Sequence, residues 1–409
     1  MHVPVVVIGA GQAGLAMSHE LSTASIEHVV LDRGAVAQTW RTERWDSLRL
    51  LTPNWMTRLP GHRYRGDDPD GYMTAAEVTE FLVDYAVRSA APVCANVAVE
   101  RVRPDGRGFG VETDQGRWTA NAVVVATGAC SHPHIPTLTA ALPDALRQLT
   151  AREYRHPGQV GPGEVLVVGA SASGLQIADE LRRHGSEVTV AVGEHVRLPR
   201  TYRGRDIHWW MDAVGHLDER YDEVDDLVRA RRLSSLQLIG SPERRTLDLA
   251  ALMAIGVRVV GKLMGVAGAS AQFSGAVTNL VANADLKQNR LLDRIDEFAL
   301  LQPWTTALEA PSVASRPDRV ALGTVPTQLP ISRFATLIWA TGYRPQFPFL
   351  DSSAFDRRHR IMHDGGVAVT PGLYFLGLPF LRRRKSNFID GVGPDAAELM
   401  PYVRAQLSR

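Results

Sequence analysis

Two glycine-rich turns, each preceded by a run of β-branched residues, are the segments of this chain best suited to carry chemistry. The first begins at Gly9 and the second at Gly169, 160 positions later. A buried strand that leads into such a turn and then into a helix presents free backbone N–H groups and the positive end of the helix dipole, which together hold a pyrophosphate. Two such turns in one chain predict two dinucleotides, a flavin and a nicotinamide, that exchange electrons.

The first turn contains all three glycines of the dinucleotide-binding fingerprint. Gly9 makes the tight turn, Gly11 lets the backbone approach the diphosphate, and Gly14 lets the helix and the strand pack closely. Asp32 follows 23 residues after Gly9, where a carboxylate meets the ribose hydroxyls of the adenosine. The residues expected to hold this first dinucleotide are Gly9, Ala10, Gly11, Gln12, Ala13, Gly14, Asp32 and Arg33.

The second turn departs from the fingerprint at one position. Ser171 stands where the middle glycine is expected, and its hydroxyl can hydrogen-bond a phosphate oxygen although its Cβ crowds the approach. Two interpretations stay open, a nucleotide site and a structural unit that has lost its ligand, and the small residues of the turn favour the first. The residues expected to hold the nicotinamide dinucleotide are Gly169, Ser171, Ala172, Ser173 and Gly174.

The predicted choice between NADPH and NADH depends on arginine side chains, because a guanidinium binds a 2′-phosphate through two hydrogen bonds. The second strand of this unit ends at Val192, and several arginines follow it. Of these, Arg197 and Arg200 are expected to bind the phosphate, so NADPH is predicted. NADH stays possible, since many side chains of an arginine-rich chain lie on the solvated surface.

The bulk composition excludes several classes of function. A net charge of +1 provides no electrostatic reason to bind nucleic acid or an anionic membrane. Cys94 and Cys130 are the only cysteines and form no CxxC pair, which excludes an adjacent-thiol redox disulfide and suits a reducing compartment. His132 and His134 have no third ligand at a suitable spacing, so no metal is predicted. Without a signal peptide or an apolar span, a cytoplasmic protein is expected.

The order of the predicted elements indicates an α/β fold with two Rossmann-like dinucleotide-binding domains, parallel sheets and a β-meander. Residues 1–150 are expected to form the first part of an FAD-binding domain. Residues 151–325 would form the NAD(P)H-binding domain with a helical insert, and residues 326–409 the second part of the FAD-binding domain. In this arrangement the late strand at 337–340 is expected to return to the first sheet.

Several short segments share a pattern with one protein family. They are the first turn, Thr39-Trp40, Leu51 to Asn54, Glu153-Tyr154, and the two segments Ala126-Thr127-Gly128 and Ala340-Thr341-Gly342. Together these segments resemble the class B flavin-dependent monooxygenases, a group that includes the flavin-containing and the plant indole-pyruvate monooxygenases. The resemblance implies FAD at the first turn and NADPH at the second. It adds to the cofactor-binding residues Thr39, Trp40, Val97, Ala126, Thr127, Gly128, Thr341 and Gly342.

The resemblance also implies a reaction. Reduced nicotinamide reduces the flavin, which forms a C4a-(hydro)peroxide with dioxygen and inserts one oxygen atom into a small organic substrate. Asn54 matches by position the asparagine that the family holds beside the flavin, and the alternative is that it caps a turn after Pro53. Thr150 stands where the Baeyer–Villiger subgroup has a histidine ahead of Tyr154, which argues against that subgroup.

Two other functions share the same glycines. One is an NAD(P)H-dependent flavin reductase or oxidase that passes electrons on without inserting oxygen, and Asn54 is the residue that weighs against it. The other is a non-catalytic protein that senses redox state through a bound flavin. The expected partners are a small-molecule substrate and dioxygen, with no nucleic acid and no membrane, and the chain is expected to be a monomer or a homodimer.

Overall fold

The computed structural model of the protein describes residues 1–106, 108–302 and 316–409. The strands before residue 126 are β1 (His2–Ile8), β2 (His28–Asp32), β3 (Arg58–Leu59), β4 (His62–Arg63), β5 (Val93–Ala95), β6 (Val99–Asp105), β7 (Gly108–Thr113) and β8 (Gly116–Val125). Those of the middle region are β9 (His132–Pro133), β10 (Arg147–Thr150), β11 (Glu164–Val168), β12 (Val188–Val192), β13 (Val196–Arg197), β14 (Thr201–Tyr202), β15 (Arg205–Asp206), β16 (Leu236–Gln237), β17 (Arg258–Gly261), β18 (Leu263–Ala267), β19 (Ser270–Phe273), β20 (Gln328–Pro330), β21 (Phe334–Trp339) and β22 (Tyr343–Arg344). The last strands are β23 (His363–Asp364), β24 (Val367–Ala368) and β25 (Leu373–Phe375).

The helices begin where local signals in the sequence favour a helix start. Thr74 and Glu77 form a capping box, in which each side chain accepts a hydrogen bond from the backbone N–H of the other residue. The helices after the two glycine-rich turns begin at the residues next to Gly11 and Ser171. The α-helices are α1 (Gln12–Thr23), α2 (Gln38–Thr42), α3 (Ala75–Arg88), α4 (Ala172–Arg183), α5 (Ile207–Ala213), α6 (Leu227–Arg231), α7 (Leu249–Ala254), α8 (Val277–Leu301) and α9 (Ile389–Leu407).

The first sheet has the strand order β23-β24-β25-β8-β1-β2-β5. Its central strands β25, β8, β1, β2 and β5 are parallel, and β6 and β7 extend β8 as an antiparallel meander. Alternate residues of β1 point to opposite faces, so Val5 and Val7 pack with α1, α3 and α9. Val6 and Ile8 pack instead with the meander side and with Phe347. Both faces of the sheet are therefore buried, as the near-continuous apolar sequence of β1 predicts.

The second sheet has the order β10-β21-β11-β12-β17, and all its pairs are parallel. One face packs against α4 and α7, and the other against a small sheet of β18, β19 and β20. The expectation that the late strand returns to the first sheet is wrong, because β21 lies between β10 and β11. Only β23, β24 and β25 return. Residues 303–315 of the predicted 151–325 domain lie outside the described residues.

A further apolar cluster combines residues from the segment that follows β2 with residues from the segments that follow β12. Met56, from the segment after β2, packs with Leu198, Trp210 and Ile295 from the segments after β12. Trp210 is fully buried, and its indole N–H donates to the Tyr202 carbonyl at 2.6 Å. Across residues 1–106, 108–302 and 316–409, no helix has both the length and the apolar character needed to cross a bilayer.

Candidate functional site

The three glycines of the first turn differ in the space around them. Gly9 has φ +111°, and a Cβ there would lie 2.7 Å from the Ala126 carbonyl oxygen. A Cβ on Gly14 would lie 1.8 Å from the carbonyl oxygen of Gly9, so the helix packs on the turn with no room for a side chain. At Gly11 a Cβ would meet nothing within 4 Å. The space in front of Gly11 is thus open, and the fingerprint predicts a diphosphate there, against the N-terminus of α1.

Asp32 lies beside this turn at the end of β2. Its carboxylate accepts hydrogen bonds from the backbone N–H of Ala10 at 2.6 Å and of Gly34 at 2.9 Å. Burial raises the pKa of the Asp32 carboxyl, and these two hydrogen bonds oppose the rise. The backbone N–H of Val97 donates to the Asp32 carbonyl at 2.8 Å, which places Val97 beside the same strand end. Arg33 is largely exposed next to it.

The remaining residues predicted for the first site lie around the same turn. Ala13 is buried in the core beneath the turn, while the Trp40 indole N–H of α2 reaches the Gln12 side-chain oxygen at 3.4 Å. Thr39 lies next to Trp40 on α2. The segment Ala126-Thr127-Gly128 follows β8 directly behind Gly9, with Gly128 at φ +74°. Structure and sequence therefore agree on which residues surround this turn.

Three buried side-chain oxygens from the segments that follow β8 and β2 are among those without a hydrogen-bond partner in the described residues. They are Thr127 Oγ1, Glu43 Oε2 and Asn54 Oδ1. Buried polar atoms are normally hydrogen-bonded, so each of these oxygens is a candidate to accept a hydrogen bond from a bound polar ligand. Glu43 was missed by the sequence analysis. Its other oxygen accepts from Arg152 at 2.5 Å, a partner 109 residues away that no local pattern reveals.

Asn54 is buried and begins a single 3₁₀ turn, Asn54–Met56. Its side-chain N–H donates to the Asp68 carbonyl at 2.9 Å, and its backbone N–H donates to the Gly71 carbonyl at 2.9 Å. The cap position of the turn belongs to Pro53, and no side chain caps it. The Asn54 amide therefore joins two loops and leaves its oxygen unpaired, rather than capping the turn that follows Pro53.

The second turn repeats the geometry of the first. Ser171 has φ −89° and ψ −172°, against −89° and −171° at Gly11, so serine adopts this backbone without strain. Gly169 has φ +117°, and a Cβ there would lie 2.3 Å from the Ala340 carbonyl oxygen. A Cβ on Gly174 would lie 2.0 Å from the carbonyl oxygen of Gly169. The departure from the fingerprint leaves the turn intact.

The neighbours of the second turn also match those of the first. Ala172 and Ser173 are the first two residues of α4. Thr341 and Gly342 follow β21 directly behind Gly169, with Gly342 at φ +84°, and the Thr341 hydroxyl donates to the His134 carbonyl. Gln237 was missed by the sequence analysis. Its side-chain N–H donates to the Ala170 carbonyl at 2.6 Å from a position fully buried beneath the turn.

The prediction that Arg197 and Arg200 bind a 2′-phosphate requires correction. The Arg197 side chain is 2% exposed, and its guanidinium donates to Asp285 at 2.6 Å and to Asp248 at 2.9 Å. Arg200 is fully buried and pairs with Asp206 at 2.5 Å. Both side chains have carboxylate partners inside the protein, so neither is available to a nucleotide phosphate.

Arg200 instead connects the segment at Leu51 with the segment that follows β12. Its guanidinium donates to the Leu51 carbonyl at 2.8 Å and lies over the Tyr72 ring at 4.5 Å, while the Tyr72 hydroxyl donates to Asp206 at 2.6 Å. Burial by itself raises the pKa of the Asp206 carboxyl. The hydrogen bond from His208 and the Arg200 charge outweigh that effect and hold this pKa well below its usual range. The pair is therefore ionised at neutral pH.

Three basic residues near the start of α9, Arg382, Arg383 and Lys385, are engaged in ion pairs. Arg382 and Arg383 pair with Glu398, and Lys385 pairs with Asp390 at 3.2 Å. Arg382, Arg383 and Lys385 are each less than a tenth exposed. In the ranges 1–106, 108–302 and 316–409, no three His, Cys, Asp or Glu side chains form a group that could hold a metal ion.

Comparison with known proteins gives three kinds of match. A family model described as pyridine nucleotide-disulphide oxidoreductase matches residues 6–211, which include both turns. An uncharacterized oxidoreductase CzcO-like protein of Geobacillus kaustophilus is 32% identical over 401 residues, 97% of each chain. The indole-3-pyruvate monooxygenase YUCCA1 of Oryza sativa is 31% identical over 211 residues, 49% of this chain and 50% of that one.

Among solved structures, a flavin-containing monooxygenase from Stenotrophomonas maltophilia superposes with a TM-score of 0.68 at 22% identity, covering 99% of this chain and 98% of that one. This likeness confirms the predicted α/β fold with two dinucleotide-binding units. The matches together confirm the resemblance to class B flavin-dependent monooxygenases that the motifs indicated. The chain is an oxidoreductase enzyme, and the description of the family model names a pyridine nucleotide.

A Gly11→Val substitution is expected to abolish flavin retention without unfolding the protein. The new side chain meets no protein atom near its Cβ but occupies the space that fits the diphosphate. The measurement is the ratio of flavin to protein absorbance after purification, together with the melting temperature.

The matched control is Gly161→Val, because a Cβ at Gly161 likewise meets nothing within 4 Å but lies in an exposed loop. This control should keep its flavin. A Gly11→Val protein that is as yellow as the wild type would show that the flavin does not approach this turn.

An Arg200→Met substitution is expected to destabilise the protein by about 3–5 kcal/mol, because it leaves the Asp206 carboxylate buried without its charge partner. Arg205→Met is the control, since Arg205 is exposed five positions away and stacks on Trp209. The free energy of unfolding is measured in urea.

The pH dependence provides a second test of this pair. A carboxyl whose pKa is depressed in the folded state stabilises the protein above its unfolded pKa, and that stability is lost as the pH falls through the folded pKa. The free energy of unfolding of the wild type should therefore approach that of Arg200→Met on strong acidification. A difference that stays constant with pH would contradict the assigned role of the ion pair.

Proposed function

We propose, on the premise that this chain belongs to the pyridine nucleotide-disulphide oxidoreductase family, that it is a cytoplasmic flavin-dependent monooxygenase. In the proposed reaction, reduced nicotinamide, a proton, dioxygen and a small organic substrate yield oxidised nicotinamide, water and the substrate carrying one new oxygen atom. The observation that carries the proposal is the pair of glycine-rich turns with the same backbone geometry, each backed by an Ala-Thr-Gly segment.

The state of the cysteines favours oxygen insertion over the disulfide chemistry in the family's description. Cys94 and Cys130 are free thiols, and no CxxC pair exists in the sequence. Electrons that reach a bound flavin therefore have no adjacent-thiol disulfide of this chain to reduce. Dioxygen is the acceptor that the likeness to the monooxygenases suggests.

The protein's own residues have three tasks in this proposal. The open space at Gly11 and the N–H groups that begin α1 bind the flavin diphosphate, and the turn at Ser171 binds that of the nicotinamide. A bound flavin supplies the two-electron reduction of dioxygen. One N–H of the buried Asn54 amide donates to the Asp68 carbonyl, and in this proposal its second N–H would donate to the reacting oxygen, which an amide does without releasing a proton.

Substrates of three classes fit the proposal: a thioether, a tertiary amine and an aromatic 2-oxo acid. The decisive measurement uses dioxygen labelled with heavy oxygen and follows the mass of the product of each. Label in a product, with one reduced nicotinamide consumed for each labelled molecule, is the expected result. Nicotinamide consumption that yields hydrogen peroxide alone with all three classes would favour the flavin reductase or oxidase instead.

An Asn54→Ala substitution is expected to separate flavin reduction from oxygen insertion. The rate of flavin reduction by nicotinamide should change little, whereas product formation should fall about 10²-fold, as when one preorganised donor is removed. Stopped-flow absorbance measures the first rate, and the ratio of product to hydrogen peroxide measures the second. Asn279→Ala, on the exposed face of α8, serves as the control. An unchanged ratio would remove Asn54 from the reacting site.

A further inference from the structure

The two dinucleotide units differ at the strand end where an adenosine ribose binds. In the first unit Ile8 pairs with Leu31, and the next residue of β2 is Asp32. In the second unit Val168 pairs with Ala191, and the next residue of β12 is Val192. The apolar Val192 therefore replaces the carboxylate of Asp32 and is fully buried. Any group that meets the ribose in the second unit must come from the residues that follow.

Gly193 and Glu194 are those residues. Glu194 is exposed, and no hydrogen bond or ion pair engages its carboxylate among residues 1–106, 108–302 and 316–409. Its backbone carbonyl accepts a hydrogen bond from the Ser234 hydroxyl at 3.0 Å. The strand β16, which begins at Leu236, pairs with β13 and carries Gln237 to the Ala170 carbonyl. The loop that holds Glu194 is thus tied to the second glycine-rich turn.

The three buried arginines that follow this strand end along the chain are already engaged inside the protein. Arg197 and Arg200 are buried in ion pairs, and Arg203 is buried with Asp296 at 3.3 Å. Burial lowers the pKa of the His195 imidazole and outweighs the hydrogen bond to the Gly193 carbonyl, which by itself would raise it. This ring is therefore neutral at pH 7. A 2′-phosphate carries about two negative charges and needs such cations. The half-buried Lys287 of α8 is a remaining candidate in this neighbourhood.

We infer that this protein uses NADH in preference to NADPH and that Glu194 makes the selection. Its carboxylate accepts hydrogen bonds from the ribose hydroxyls of the adenosine and repels a 2′-phosphate in their place. The inference rests on the proposed function, because it requires a nicotinamide dinucleotide at the second turn. It replaces the sequence-based preference for NADPH, whose two arginines have carboxylate partners.

Binding to the oxidised, flavin-loaded protein tests the inference without turnover. The dissociation constants of NAD⁺ and NADP⁺ are measured by isothermal titration calorimetry. The wild type should bind NAD⁺ at least about tenfold more tightly than NADP⁺, a difference of about 1.4 kcal/mol. Glu194→Gln should reduce the ratio of the NADP⁺ dissociation constant to the NAD⁺ dissociation constant. Adding Gly193→Arg should reverse it, because a Cβ at Gly193 meets nothing within 4 Å and a guanidinium there can reach the phosphate.

Two controls keep the test specific. Glu187→Gln makes the same charge change just before β12, at the opposite end of the strand, and should leave the ratio unchanged. Lys287→Gln should also leave it unchanged. Tighter binding of NADP⁺ by the wild type, or a ratio that Glu194→Gln does not alter, would overturn the inference and leave the proposed function standing. Binding of neither dinucleotide would overturn both.

Discussion

The close approach of backbone to backbone at the two glycine-rich turns is the constraint on which the rest of the structure depends. A Cβ added at Gly14 or Gly174 would lie 1.8 or 2.0 Å from a carbonyl oxygen of the preceding turn, so each helix approaches its turn too closely for a side chain. This contact aims the start of the helix at the carboxyl ends of the parallel strands. The N–H groups of the first helical turn are then free to bind a ligand, since they have no partner within the helix.

A second close approach occurs at the first glycine of each turn, which lies against the carbonyl of the residue that follows a neighbouring strand. Ala126 approaches Gly9, and Ala340 approaches Gly169. The two units are thus built alike, and they differ at the last residue of the second strand, which is Asp32 in one unit and Val192 in the other. A shared scaffold with different residues at this one edge would let a single chain bind two different dinucleotides, as we propose.

Several buried charged residues in this protein join segments that are distant in the sequence. Arg200 and Asp206 join the segment at Leu51 to the segment after β12, and Arg383 pairs with Glu398 of α9. A buried charge is tolerated only with a partner, because its desolvation is otherwise too costly. The number of arginines near a site therefore says little about how many of them are available to bind a phosphate.

Much of the local structure follows from the sequence. The second strand of the second unit ends at Val192 as predicted, and Thr74 and Glu77 carry in the sequence the capping-box pattern that begins α3. The residues around the first turn were identified because their roles depend on backbone conformation over a few positions. The sheet to which β21 belongs was not predicted correctly, because a buried parallel strand has the same apolar pattern in either sheet.

The sequence by itself determined the two turns, the helices that follow them and the order of the parallel strands along the chain, because these depend on φ preferences and on periodicity among near neighbours. Only the tertiary structure decided which arginines are paired and which acid is exposed. Arg197 meets Asp248 and Asp285, which lie 51 and 88 positions away. Contacts over such separations arise from packing, and no local pattern encodes them.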